Sequence, residues 1–499
     1  MTRALRPAIL CSYGLDRCAQ ARSSSATAPG NVFISLLRGN RPASKACDQD
    51  RRPSLAGRFS WSGRRAVADA GADQARFAAL RHRDYRLFWL GRLLSVIGSQ
   101  MQQVAVSWHV YQLLKGQVLP VDLPWGGSLD LGASALGLGA VGLVRILPVF
   151  VFALLGGLAA DSHPRRRILL VTQSLATLNA GLLAALTLSG HATLPRILLL
   201  LAVGAAVTGF DEPARQSMVV NLVPRPLLPS AINLNTLLFF GASIVGPALA
   251  GLLVGTVDVG WVYVVDALSF LGVLAALLAM GFRDRLPEVP AGFTWPALRE
   301  GLRFTFQQRL VRSTMVLDFV ATFFSSGRYL LPIIATELLG LGPLGYGLLS
   351  TAQAVGAVVA GVVLGLRPPI RRQGAALFGG VVVYGLASAL FGLSTVPLLS
   401  YLLFALTGAG DMVSTVVRGT IRQTVTPDAL RGRMTSINML FFMGGPQLGE
   451  VEAGAIASVW GASVAMVTGG LATLVYVGWL AFRQPELRRL EVEQLIAAD

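Results

Sequence analysis

Cysteine is nearly absent, and it is missing wherever it could matter. The 499 residues hold three, Cys11, Cys18 and Cys47, all ahead of the first long apolar run. Neither a disulfide framework nor a cysteine-ligated metal centre can therefore sit in the core. Histidine is as sparse, with four residues and no ligand spacing between them. Charge is scarce too. Asp, Glu, Lys and Arg make up 14% of the chain, against about 25% in an ordinary soluble protein. Also missing are a glycine-rich phosphate loop, a metal cluster and a nucleophile paired with a base, so an enzyme is disfavoured. The lack of an ATP-binding domain argues against a primary pump. No catalytic residue, metal or cofactor is expected.

What is present is apolar, at 53% of residues with a mean hydropathy of +0.60. A bilayer core about 30 Å thick needs roughly 20 apolar residues per helix. Twelve such runs can be read, at approximately 86–114, 133–160, 167–190, 193–211, 231–256, 258–281, 313–338, 343–366, 374–394, 396–417, 433–458 and 460–482. The formal charge is +16. Its arginines punctuate the apolar runs instead of forming one basic face, so nucleic acid is not an expected partner.

Arginine placement orients the runs. One set of loops carries Arg165, Arg166 and Arg167, then Arg215 and Arg225, then six arginines between 283 and 312, then Arg367, Arg371 and Arg372, then Arg422, Arg431 and Arg433. The alternate loops carry only Lys115 and Arg196. Every second loop, and both termini, should therefore be cytoplasmic, in a multi-pass protein of the inner membrane.

Residues 1–75 lack this patterning and are rich in Arg, Ser, Ala and Pro. A disordered extension, an upstream stretch from a too-early start, and a transit peptide are the readings left open; no secretory apolar segment is present. Residues 76–282 should form one six-helix half and 313–483 the other. Between them, 283–312 begins Pro-rich and then reads as an amphipathic basic helix on the membrane surface joining the halves. Residues 484–499 should be a cytoplasmic tail.

The halves repeat. At one fixed offset, Arg215 falls on Arg418, Pro224 on Pro427, Leu227 on Leu430, Asn235 on Asn438, Gly246 on Gly449, Ala250 on Ala453 and Gly251 on Gly454. A parallel duplication of six-helix units is a transporter pattern.

The loop after the second run reads Gly157-Leu-Ala-Ala-Asp161-Ser-His-Pro-Arg165-Arg166. It resembles the major facilitator superfamily signature Gly-x-x-x-Asp-Arg-x-Gly-Arg-Arg, with Ser162 and Pro164 as departures. Ala242-Ser-Ile-Val-Gly246-Pro247-Ala-Leu-Ala250-Gly251 looks like that family's antiporter motif. Asp211-Glu-Pro-Ala-Arg215-Gln and Thr426-Pro-Asp-Ala-Leu-Arg-Gly-Arg433 resemble its branch of siderophore exporters and drug-efflux proteins. The resemblance implies an all-α membrane protein with twelve transmembrane helices in two six-helix bundles. It implies helices one, four, seven and ten around a central cavity. For gating it implies Asp161 touching the start of helix eleven, here Arg431 and Arg433. Arg165 and Arg166 would gate, set topology, or both. Gly246 and Pro247 fall in the antiporter motif.

Ionisable groups inside membrane spans are functional candidates by default. Run one carries Arg92, Ser95, Ser99, Gln102 and Gln103 on one face, though Arg92 could instead snorkel. Run seven carries Asp318, Thr322, Ser325 and Tyr329, and run ten Thr407, Asp411, Ser414 and Arg418. Arg145 and Glu450, on the runs that face each other in the resembled fold, could form an ion pair between the halves or make separate hydrogen bonds. Glu452 points away from Glu450. Asp266, on run six, reads as structural. The function implied is proton-coupled export of a small amphipathic molecule, with Asp318 and Glu450 as proton carriers. Uptake or uniport, and a non-transporting sensor or scaffold, are the alternatives. The expected partners are the bilayer, a small-molecule substrate and protons, and a monomer is expected.

Overall fold

The computed structural model describes residues 77–122, 128–282, 295–368, 370–427 and 430–491, all within one unit, Ser62–Asp499. The extension expected over 1–75, the Pro-rich start of the linker and the end of the tail lie outside the described residues. So do the side chains of Asp161 and Arg433.

The first six helices are α1 (Arg83–Leu114), α2 (Ala133–Ser162), α3 (Arg165–Leu188), α4 (Leu194–Leu222), α5 (Leu228–Thr256) and α6 (Val259–Ala279). A linker helix, α7 (Trp295–Gln307), precedes α8 (Arg309–Phe324), α9 (Pro343–Leu366), α10 (Gln373–Leu393), α11 (Pro397–Val425), α12 (Arg431–Trp460) and α13 (Ala462–Arg483). Six helices thus stand on each side of α7. Ten of the described helical spans are long and apolar enough to cross a membrane. The two that fall short, α1 and α12, are among the longest, at 32 and 30 residues. They miss on composition because α1 carries the stripe from Arg92 to Gln103 and α12 carries Gln447, Glu450 and Glu452. Leucines and valines stand exposed around the bundle, among them Leu147, Leu199, Leu237, Leu278 and Val475. So much exposed apolar surface belongs in lipid, not water.

Two features depart from the sequence reading, and a third concerns the linker. Between α1 and α2 the chain forms a hairpin of β1 (Val118–Asp122) and β2 (Ser128–Gly132), antiparallel with Val118 opposite Gly132. Gly116, at φ 76°, turns the chain out of α1 into it. The expected single helix over 313–338 is broken. α8 stops at Phe324, and the chain resumes as a tight turn, Arg328–Leu330, that winds on to a wide-pitched Ile334–Leu338. The linker helix α7 docks on one half, with Phe304 packed against Val311, Met315 and Met434.

The packing differs at the two ends. At the hairpin end one core spans both halves. Trp108, Tyr111, Leu138 and Val141 of the first half pack with Tyr329, Ile334, Tyr346, Ala453 and Met466 of the second. At the opposite end, which carries Arg165–Arg167 and Arg371–Arg372, the described residues form separate cores. One joins Tyr85, Phe88, Leu169, Met218 and Leu277 of the first half. The other joins Leu317, Leu377, Val417, Ile421 and Leu480 of the second.

Small residues make the shared core possible. At Gly454 of α12 a Cβ would meet the Cα of Gly139 on α2 at 2.8 Å, and at Gly251 of α5 it would meet the Cα of Gly347 on α9 at 2.7 Å. No side chain fits between these crossing helices. The repeat explains the match. Gly251 and Gly454 are equivalent and make equivalent crossings into the other half. Gly246 and Gly449 are also equivalent. They press on α1 and α8, against Gln100 and Phe323 respectively.

Candidate transport pathway

Each half buries the repeat's arginine near the arginine-rich end, but with different partners. In the first half Arg215 pairs with Asp211 one turn earlier on α4, through both Nε and Nη2. The other Asp211 oxygen accepts from Thr172 Oγ1 and Gln173 Nε2 of α3, both at 2.7 Å. Arg92 of α1 is half-buried within electrostatic reach of Asp211, Glu212 and Arg215, and its Nε has no hydrogen-bond partner.

In the second half Arg418 reaches across to α8. Its Nη1 lies 2.8 Å from Asp318 Oδ1, with both side chains 2% exposed. Its Nη2 donates to Thr415 Oγ1 at 2.8 Å and lies 3.5 Å from Asp411 Oδ1. Arg422, one turn further on, is buried beside them with Nη1 unpartnered. Arg92 and Asp318 stand at the same step of their helices, nine residues after Arg83 and Arg309. The two halves therefore place opposite charges at one equivalent position. A buried ion pair contributes little net stability, but removing one partner costs about 3–5 kcal/mol.

Nearer the hairpin end, Arg145 and Glu450 do not pair directly, which corrects the first of the two sequence readings. Tyr329 stands between them. Arg145 Nη1 donates to the Tyr329 hydroxyl at 3.0 Å, and the Tyr329 N–H donates to Glu450 Oε2 at 3.0 Å. Glu450 Oε1 accepts from the Arg328 N–H at 2.9 Å and from Ser326 Oγ at 3.1 Å. Glu452 is half-buried with Oε2 unpartnered. Ser99 and Gln102 are half-buried on α1.

The seal at the hairpin end is completed by Tyr111 of α1. It donates to Glu337 Oε1 at 3.0 Å and accepts from Thr336 Oγ1 at 2.7 Å. The contact joins the last turns of α1 to the wide-pitched segment beyond the break in α8. Trp108 stacks on Tyr346, with ring centroids 5.4 Å apart, and the Tyr346 hydroxyl donates to the Val104 carbonyl.

The loop motif behaves unevenly. Arg166 donates to the Leu278 and Phe282 carbonyls at the end of α6, a favourable site for a cation. Arg165 is half-buried, and Arg431 is exposed at the start of α12. Among the described residues nothing would contact a Cβ at Gly157. Its neighbour Gly156 is the one pressed against α4, at Gly209 and Phe210. Pro247 is buried inside α5, with its carbonyl against Gly347. Asp266 is fully buried against Gly98 of α1, and neither of its carboxylate oxygens has a hydrogen-bond partner.

The sequence reading passed over the Asp211 cluster, Ser326 and Arg422. The duplicated Arg215 and Arg418 were the available signal for the first, but the apolar runs stop before both, whereas α4 and α11 continue past them and bury them, so that each needs a carboxylate nearby.

Two related helical bundles, opposite charges at one equivalent depth and, among the described residues, a core shared at one end only define a multi-pass membrane transporter of the major facilitator fold. The chain belongs to the family described as transmembrane secretion effector, which matches residues 74–499. It is a transporter and not an enzyme. It is 27% identical over 417 residues to the enterobactin exporter EntS of Citrobacter koseri, covering 81% of this chain and 94% of that protein. It is 25% identical over 425 residues to the EntS of Escherichia coli strain SMS-3-5, covering 84% and 96%. Among solved structures, a bacterial homologue of the human lysosomal transporter Spinster, inward-facing and occupied, matches with a TM-score of 0.62 at 14% identity, over 82% of this chain and 99% of that one. A D-xylose–proton symporter matches with a TM-score of 0.61 at 12% identity, over the same shares. At those identities the likeness is one of fold.

Proposed function

We propose that this protein exports a small amphipathic, drug- or siderophore-like molecule across the inner membrane by proton-coupled alternating access. The observation that carries the reading is the single core at the hairpin end set against separate cores at the arginine-rich end. The positive-inside rule assigns the arginine-rich end, and both termini, to the cytoplasm. On that assignment this conformation is open inward and sealed outward. The path runs past Arg92, Ser99, Gln102, Asp318 and Asp411 toward Arg145, Tyr329, Glu450 and Glu452. Asp318 is the proton carrier, and Glu450 takes its proton at the outer seal. Gly157, Asp161, Arg165, Arg166, Arg431 and Arg433 form the cytoplasmic gate; Pro247 lies in the crossing of α5 and α9 that seals the outside, and Gly246 sets α5 against α1 beside it. Residues 76–282 and 313–483 act as the two moving bodies of a monomer, tied by 283–312.

Export is supported by the relatives, which are named as exporters of enterobactin. The test uses inverted vesicles from cells stripped of their own efflux pumps, given enterobactin and a panel of amphipathic drugs. An acidic interior should drive accumulation of at least one of them, and a protonophore should abolish it. Accumulation indifferent to the protonophore would indicate uniport. Accumulation only with the opposite gradient would indicate uptake, and no flux a sensor or scaffold.

A further inference from the structure

The break in α8 leaves backbone donors without partners. The helix stops at Phe324 and the chain resumes at the turn Arg328–Leu330. The first N–H groups of any helical segment lack an intrahelical acceptor. Inside a membrane the protein itself must supply one. Here it comes from another helix. Glu450 of α12 takes the Arg328 and Tyr329 N–H groups, one on each carboxylate oxygen, and the Ser326 hydroxyl as well. A negative side chain thus caps the resumed segment in trans, where the partial positive charge of the segment start favours it. The same segment holds the outer seal at two further points. Tyr329 takes Arg145 of α2, and Thr336 with Glu337 takes Tyr111 of α1.

We propose that Glu450 is a proton-operated latch on residues 328–338: ionised, it holds this segment of α8 in the seal, and protonated, it releases the segment from α1 and α2 so that the hairpin end opens. This rests on the proton-coupled reading above. The chemistry is local. Both oxygens already accept from N–H donors, so a proton added to either sets an O–H against an N–H and removes the charge that the cap uses. Other ionisable groups near Glu450 are few. Arg328 stands on the latched segment, Arg145 of α2 is one residue away through Tyr329, and Tyr384 approaches from α10. Glu452 shares α12 but lies on its other side, and α13 carries no charged residue before Arg483.

The test reads conformation and needs neither substrate nor gradient. In the full chain, with Cys11, Cys18 and Cys47 changed to Ser, spin labels are placed at Thr193→Cys and Leu344→Cys. Both sites are exposed, at the hairpin end of opposite halves. Distances are measured in lipid nanodiscs at mildly alkaline and mildly acidic pH. The longer-distance population should rise several-fold on acidification. In Glu450→Gln, whose amide must oppose one of the two N–H groups, that population should be high at both pH values and the response lost. Tyr329→Phe, which frees Arg145 alone, should keep the response. Ser326→Ala removes one donor and keeps the carboxylate, so it should raise the alkaline population about two-fold and serves if Glu450→Gln does not fold. A parent with identical distances at both pH values, a Glu450→Gln protein that responds like the parent, or a Ser326→Ala protein unchanged at alkaline pH would overturn the latch. An intact distance response without proton-driven flux would defeat the transport reading and leave the latch standing.

Discussion

The two halves carry the same duplicated arginine and neutralise it differently. The first half keeps the charge balance within one helix. Asp211 and Arg215 are one turn apart on α4, and α3 supplies two further hydrogen bonds. The second half spreads it across helices, with Arg418 of α11 held by Asp318 of α8 and Asp411 beside them. A pair on one helix survives when helices move, whereas a pair between helices must break or move with them. The comparison teaches that the second half uses its arginine to tie α8 to α11, whereas the ion pair of the first half stays within α4. The break in α8 and its cap by Glu450 fall on the same side of that division.

The largest effect should come from removing the charge at the equivalent position. Asp318→Asn leaves buried Arg418 without its nearest partner. It should lose about 3–5 kcal/mol of stability, read by thermal unfolding in detergent, and most of its vesicle flux. Arg92→Gln has no hydrogen bond to its Nε to lose. It should reduce flux while leaving stability nearly unchanged, and equal destabilisation by the two would break the comparison. Next come the crossings. Gly251→Val and Gly454→Val each push a side chain into a facing glycine, at about 1–3 kcal/mol. The repeat predicts similar losses, and a large difference would show that the approximate two-fold does not hold in energy. Thr172→Val removes one of several bonds to Asp211 and should cost about 1 kcal/mol with flux preserved, since the Arg215 pair remains. Smallest is Gly157→Ala. With nothing among the described residues to meet a Cβ there, stability should stay within about 0.5 kcal/mol. A large loss of flux at unchanged stability would assign this glycine a contact made only in another conformation.

Much of this division was legible in the sequence, and the reason is periodicity. Apolar runs, arginines in every second loop and identities at a fixed offset are one-dimensional signals, and they located the helices, the halves and the glycines of the crossings. Candidates such as Arg145, Tyr329 and Glu450 were legible because a polar side chain in an apolar run stands out. Their connectivity was not. Tyr329 inserts between Arg145 and Glu450 where α8 breaks after Phe324, and the segment beyond the break is held by a carboxylate more than 120 positions away in the chain. Asp318 looked like an isolated acid because Arg418 lies on another run. The hairpin was hidden because two five-residue strands in a loop carry too little alternation to register. The docking of α7 on the second half rests on Phe304 meeting Met434, which no local pattern encodes.

The central claim is a pathway open at the arginine-rich end and sealed at the hairpin end, with the arginine-rich end in the cytoplasm. Its most direct test is the reaction of a membrane-impermeant maleimide with Ser99→Cys and, separately, Thr322→Cys, both half-buried, in a background lacking Cys11, Cys18 and Cys47. Inverted vesicles, which expose the cytoplasmic face, should label both positions, and right-side-out vesicles at alkaline pH should label neither. Labelling from the right-side-out face alone, or equally from both, would contradict the account.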